Sequence, residues 1–175
     1  MEKALSVINQ MQKIGLVEQF AVGGGIALLF YAEPVLTYDL DIFVFLPGPK
    51  KSTSTLLSLT PIYDYLRGRG YRAHKEHIVI EGVPVQFIPA YNDLVEEAVR
   101  EAVATKYKRI GTKVIRLEYL AAILLQTDRP KDRARIVMLL EESRIKVNVL
   151  EDILSRHGLM QKWKTLRRNL GSTQT

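Results

Sequence analysis

At 175 residues, with 47% hydrophobic and 25% charged side chains, the chain suits one folded domain with an extension and is too ordinary in composition for a disordered or fibrous protein. It has no cysteine, which excludes disulfides, thiolate metal sites and cysteine nucleophiles and leaves metal chemistry to carboxylates and three histidines, hence to hard, oxygen-preferring ions. A net charge of +6 favours an anionic partner, while no stretch approaches the roughly 20 apolar residues of a membrane span, so a cytoplasmic protein with no membrane partner is expected.

Leu5, Ile8 and Met11 recur at helical spacing and predict a helix over 2–14, with Gly15 as its C-cap. Residues 17–22 read as a short strand, broken by Gly23-Gly24-Gly25, after which 26–32 resumes as a helix. Residues 36–46, rich in aromatic and β-branched side chains, predict a second and central strand that closes at Pro47-Gly48-Pro49. A helix is expected over 53–68, kinked or split at Pro61 and ended by Gly68 and Gly70. Two or three antiparallel strands follow over 71–76, 77–80 and 83–88, with Glu81-Gly82 at a tight hairpin turn. Residues 92–104 read as a helix capped by Asn92. The segments 117–126, 131–142, 147–156 and 159–170 are helical, Gly158 dividing the last two, and 171–175 should fray. The order is that of an α+β protein: a mixed-sheet core over 1–116 and a helical extension over 117–175.

The chemistry concentrates in two neighbouring segments. On a strand, residues two apart share a face, so Asp39 and Asp41 point one way while Leu40, Ile42 and Val44 point the other. Two adjacent carboxylates raise each other's pKa unless a cation relieves them, and a divalent ion does so; an exposed edge strand with solubilising charges is the plainer alternative. The strand–Gly24-Gly25–helix passage allows backbone to approach a ligand closely and aims free N–H groups at an anion, although a bare turn would also need glycine.

Taken together, Gly24-Gly25, the short helix and Asp39-Leu40-Asp41 resemble the signature of the polymerase-β-like nucleotidyltransferase superfamily, and within it the minimal nucleotidyltransferases and the AbiEii toxin-like branch. Lys131-Asp132, after Arg129, stands where that branch carries a lysine–aspartate pair. The resemblance implies a two-metal transfer of a nucleotidyl group from a nucleoside triphosphate to an acceptor such as RNA or protein. It implies Mg2+, with Mn2+ as a substitute, held by Asp39 and Asp41, and a triphosphate held by Gly24, Gly25, Lys131 and Asp132. Asp39, Asp41 and Lys131 would be the catalytic residues. An antitoxin partner or a homo-oligomer would suit the same resemblance.

Two positions depart from the pattern. The superfamily's third carboxylate lies on a later strand, and Val85-Gln86-Phe87 is its counterpart here, so the third metal position falls to the neutral Gln86, which can ligate an ion but cannot act as a base. Glu81 or Glu76 could substitute. The toxin branch often shows a further aspartate where this chain has Arg135. A catalytically weakened nucleotide-binding or regulatory protein of the same fold is therefore the alternative function, and a basic RNA-binding module is a third. Lower-ranked candidates are Lys50 and Lys51 for phosphate, Lys106 and Lys108 for an acceptor groove and Trp163 for stacking, packing being the expected role of the last. His157 belongs to a helix end. His74 and His77, read as opposite sides of one continuous strand, should not share a metal.

Overall fold

The computed structural model describes residues 1–31, 39–48, 58–142 and 144–171, which form two compact units, 1–115 and 116–171. In the first unit the stripe of Ala4, Leu5, Ile8 and Met11 is buried along α1 (Glu2–Lys13). The helix stops where Gly15 takes a φ of +76°, and the Leu16 N–H turns back to the Met11 carbonyl at 3.0 Å. Strand β1 (Gln19–Val22) leads directly into α2 (Gly24–Leu28), so the short helix begins inside the glycine run, two residues earlier than its composition suggests. Strand β2 (Leu40–Phe45) is likewise shorter than expected, with Asp39 immediately before it; residues 36–38 lie outside the described residues.

Helix α3 (Thr60–Gly68) covers the later part of the helix expected over 53–68, residues 53–57 lying outside the described residues, and Pro61 sits in its first turn, where its missing N–H costs no helical hydrogen bond and no kink follows. Strands β3 (Arg72–His74), β4 (His77–Ile80) and β5 (Val83–Pro89) form successive hairpins. In the second, Glu81 and Gly82 both have positive φ, 51° and 78°, as a two-residue turn matched to strand twist requires. The Asn92 side chain caps α4 (Asp93–Arg100) by accepting from the Val95 N–H at 2.9 Å. The helix ends at Arg100 instead of 104, because Ala104 already belongs to β6 (Val103–Tyr107), which pairs with β7 (Ile110–Val114).

The seven strands make one mixed sheet in the order β3-β4-β5-β2-β1-β7-β6, in which β2/β5 and β1/β7 are parallel and the other pairs antiparallel. Strand β2 is central, as its composition predicts. Its alternation places Leu40, Ile42 and Val44, with Val85 and Phe87 of β5 and Ile78 and Ile80 of β4, on one buried face. Asp41 and Gln86 lie on the opposite, half-open face. Helix α2 packs on β2, and α4 packs on β1 and β2.

The second unit holds α5 (Leu117–Thr127), α6 (Pro130–Glu141), α7 (Val147–Arg156) and α8 (Met160–Gly171), giving eight helices among the described residues. Helix α5 is buried on nearly every side, and α6 and α7 pack against it. Trp163 is 2% exposed and donates its indole N–H to Glu151 at 2.9 Å, so it is a packing residue and not a stacking platform. No described helix is long and apolar enough to cross a membrane.

Candidate functional site

The sheet brings the glycine turn and Asp41 to one place. Antiparallel pairing of β1 with β2 runs Val22 opposite Ile42, and the Gly23 N–H continues the ladder by donating to the Asp41 carbonyl at 2.9 Å. The next residue, Gly24, has a φ of +57°, a conformation that side chains disfavour. The Asp41 carboxylate lies directly against it: a Cβ on Gly24 would collide with Oδ2 and come within 2.6 Å of the carboxyl carbon. A Cβ on Gly23 would run into the Phe43 ring. Both glycines are thus required by close approach, and Gly25 is buried in the first turn of α2.

Parallel pairing of β2 with β5 sets Asp41 directly opposite Gln86. Register partners share a face and stand about 4.8 Å apart, so the position matched to the missing third carboxylate is beside Asp41 and carries an amide. Asp39, 53% exposed, stands just outside β2. Among the described residues no three His, Asp or Glu side chains converge on a metal-sized point. An ion held by Asp39 or Asp41 would be a hard one needing waters or ligand oxygens for most of its shell, since the residues here supply no third charged ligand.

His77 belongs to this face, which sequence reasoning missed. The chain reverses at Lys75 and Glu76, with Lys75 at a φ of 55°, so His74 and His77 are cross-strand partners on one side of the sheet instead of opposite sides of one strand. His77 Nε2 lies 3.9 Å from Asp39 Oδ2, and its Nδ1 lies 3.8 Å from Glu76 Oε1. Glu81 is occupied elsewhere, accepting from the Tyr71 hydroxyl at 2.9 Å, which pushes the Tyr71 pKa up.

Of the other candidates, Lys108 pairs with Glu2 at 3.1 Å, and this hydrogen bond raises its pKa; Lys50 and Lys51 lie outside the described residues. In the second unit, Lys131 is exposed in the first turn of α6. Asp132 beside it is fully buried and accepts from Arg129 Nε at 2.6 Å and from the Thr127 hydroxyl at 2.8 Å. Burial, the largest influence, pushes the Asp132 pKa up; the hydrogen bonds from Arg129 and Thr127 and the Arg129 charge outweigh it, leaving the pKa below the ordinary carboxylate value. Arg135, in place of the toxin branch's aspartate, reaches Asp132 at 4.0 Å.

No protein-family model matches the chain, and no curated protein does. Solved structures do match. The crystal structure of ANT(2")-Ia in complex with adenylyl-2"-tobramycin superposes with a TM-score of 0.52 at 14% identity, over 91% of this chain and 98% of that one. The solution structure of the antibiotic-resistance factor ANT(2'')-Ia gives a TM-score of 0.51 at 14% identity, over 98% and 100%. These neighbours are polymerase-β-like nucleotidyltransferases. With its mixed sheet, its flanking helices and a length nearly that of either neighbour, the chain has the α+β fold of a nucleotidyltransferase.

Proposed function

We propose that the chain is a divalent-ion-dependent nucleotidyltransferase that moves a nucleotidyl group from a nucleoside triphosphate to an acceptor. The observation that supports this reading is the seating of the Asp41 carboxylate on Gly24, which sets the glycine turn, suited to a phosphate, against the strand whose aspartates would take an ion. Asp39 and Asp41 would hold Mg2+ or Mn2+, whose part is to neutralise the triphosphate and orient it. Gly24 and Gly25 would present backbone to the phosphates, and Lys131 would add a cation. Asp132 would act through Arg129, whose guanidinium it anchors. The acceptor is RNA or protein in the toxin-like form of the proposal, with an antitoxin partner, and a small molecule in the form suggested by the adenylylated antibiotic on the structural neighbour.

The test is incubation with each α-labelled triphosphate and Mg2+ or Mn2+, with RNA, protein and small-molecule acceptors offered separately. Label should appear on one acceptor class and disappear with Asp39→Asn plus Asp41→Asn. Calorimetry on that double variant should show metal-dependent triphosphate binding abolished in a folded protein. Unchanged binding would return the pair to a solvated strand end. Gln86 supports a second reading, a weakened nucleotide-binding protein, which predicts binding without transfer.

A further inference from the structure

The β6–β7 hairpin concentrates the positive charge of the first unit. Between residues 102 and 115 stand Lys106, Lys108, Arg109 and Lys113, and no acid. The unit as a whole is only +1, so without these four cations it would be −3. Pairing register decides which way the strand lysines point. Val22 of β1 is opposite both Ile42 and Val114, so Val114 belongs to the buried face of Leu40, Ile42 and Val44, and Lys113 turns to the face of Asp41 and Gln86. Lys113 pairs with Ala104 and Lys106 with Gly111, so these four residues share that face, with the two lysines diagonal to each other and roughly 7–8 Å apart. Strand β7 lies two strands from β2, about 10 Å away, and β6 three, about 14 Å away.

Ala104, Lys106 and Gly111 are exposed and Lys113 is half-exposed, and a Cβ on Gly111 would meet nothing within 4 Å. The lysines thus rise from a flat, open strip of backbone. Two contacts tie the hairpin to α1: Lys108 pairs with Glu2 at 3.1 Å, and the Asn9 side chain donates to the Gly111 carbonyl at 2.9 Å. Lys106, Arg109 and Lys113 make no ion pair among the described residues.

An edge strand commonly carries lysine to block further pairing, which would account for Lys106 on β6. It does not account for Lys113 on the inner strand or for Arg109 in the turn. A protein partner would need an apolar or aromatic anchor and a membrane would need side chains to insert, but this face offers only Ala104 and Gly111 between its cations. A nucleic-acid strand needs neither, because its phosphates release counterions to lysine and arginine wherever they are met.

We infer that the outward face of the β6–β7 ribbon binds the phosphate backbone of a single nucleic-acid strand through Lys106, Arg109 and Lys113, without reading its bases. The ribbon then favours RNA over protein and small molecules among the acceptor classes, on the face of the sheet that holds Asp41. That consequence rests on the nucleotidyltransferase reading; the docking surface does not.

The experiment titrates the full chain, without metal or triphosphate, into fluorescein-labelled oligouridylate and into its deoxy counterpart, and follows anisotropy at several salt concentrations. Both strands should bind with affinities within threefold of each other. Lys106→Gln plus Arg109→Gln plus Lys113→Gln should weaken binding tenfold or more and flatten the log–log salt slope by about 2, three contacts at roughly 0.7 each. A charge-matched control, Lys3→Gln plus Lys13→Gln plus Lys108→Gln, should lose less than threefold. Metal-dependent triphosphate binding should persist in the ribbon variant and shows that it is folded. No binding by the unaltered chain, equal losses in the two triple variants, a tenfold preference for one sugar, or equally tight binding of polyglutamate would overturn the inference and leave the proposed function standing. Strand binding through the ribbon with no label transferred to any acceptor would overturn the proposed transfer and leave the ribbon.

Discussion

Gly24 is the residue where conformation and site chemistry coincide. Its positive φ would cost an alanine on the order of 1–3 kcal/mol, and the new methyl would also displace the Asp41 carboxylate. Gly24→Ala is therefore expected to lower the denaturant midpoint by that amount and to weaken metal-dependent triphosphate binding. Gly82→Ala serves as the control: it has a similar φ of 78° but open space around it, so it should lose stability without losing binding. Gln86 offers the converse change. Because it is the register partner of Asp41, Gln86→Asp puts a second carboxylate about one strand spacing away, within reach of a second ion. Calorimetry should then record stronger binding of a second ion, with any transfer rate rising. No gain in either would mean that β5 contributes no ligand.

At the scale of elements, what could be read from the chain and what could not separate on turn chemistry. The Glu81-Gly82 hairpin was legible because glycine marks it. The reversals at Lys75 and Lys108 were not, because both place a lysine in the left-handed region, at φ 55° and 53°, where composition signals no turn. Strands over 71–76 and 77–80 were expected, but without the turn at Lys75 the two histidines could not be read as facing partners; missing the second turn hid the β6–β7 pairing. The glycine turn and Asp41 were legible because their residue types are rare at such positions, and Gln86 was singled out only through the resemblance, which implies a third carboxylate on a later strand. Helix α6 began where Pro130 predicts, but the burial of Asp132 could not be read from the chain, since an aspartate in a first turn usually faces water. Asp132→Ala should destabilise the protein by about 1.5–3 kcal/mol, the worth of hydrogen bonds to a charged group. The folded-state pKa of Asp132 is lowered, so its stabilisation is full above the unfolded value near 3.8 and is lost as pH falls through the lower folded value. The stability gap between wild type and Asp132→Asn should accordingly close below about pH 4 in urea titrations.

Across the whole molecule, charge is divided unequally. Twelve of the 25 basic residues but only seven of the 19 acidic ones fall after residue 115, so the second unit carries +5 and the first +1. The glycine turn and aspartates belong to the nearly neutral unit, and Lys131 to the basic one. If the basic unit's contribution were only a diffuse field, any of its exposed cations would serve equally and salt would screen them alike. Lys131 and Arg133, two residues apart on α6, separate these cases. The Arg133 guanidinium is held by Asp128 at 2.6 Å, an ion pair that lowers the Asp128 pKa, so its charge is already neutralised locally. Lys131 is exposed at the positive end of the α6 dipole, where a cation is mildly unfavourable and gains from an anionic ligand. Lys131→Ala is expected to weaken triphosphate binding about tenfold, or ~1.4 kcal/mol, and Arg133→Ala less than twofold. Calorimetry at two salt concentrations checks this. Equal losses that vanish together in high salt would reduce the second unit's part to general attraction and remove Lys131 from the nucleotide site.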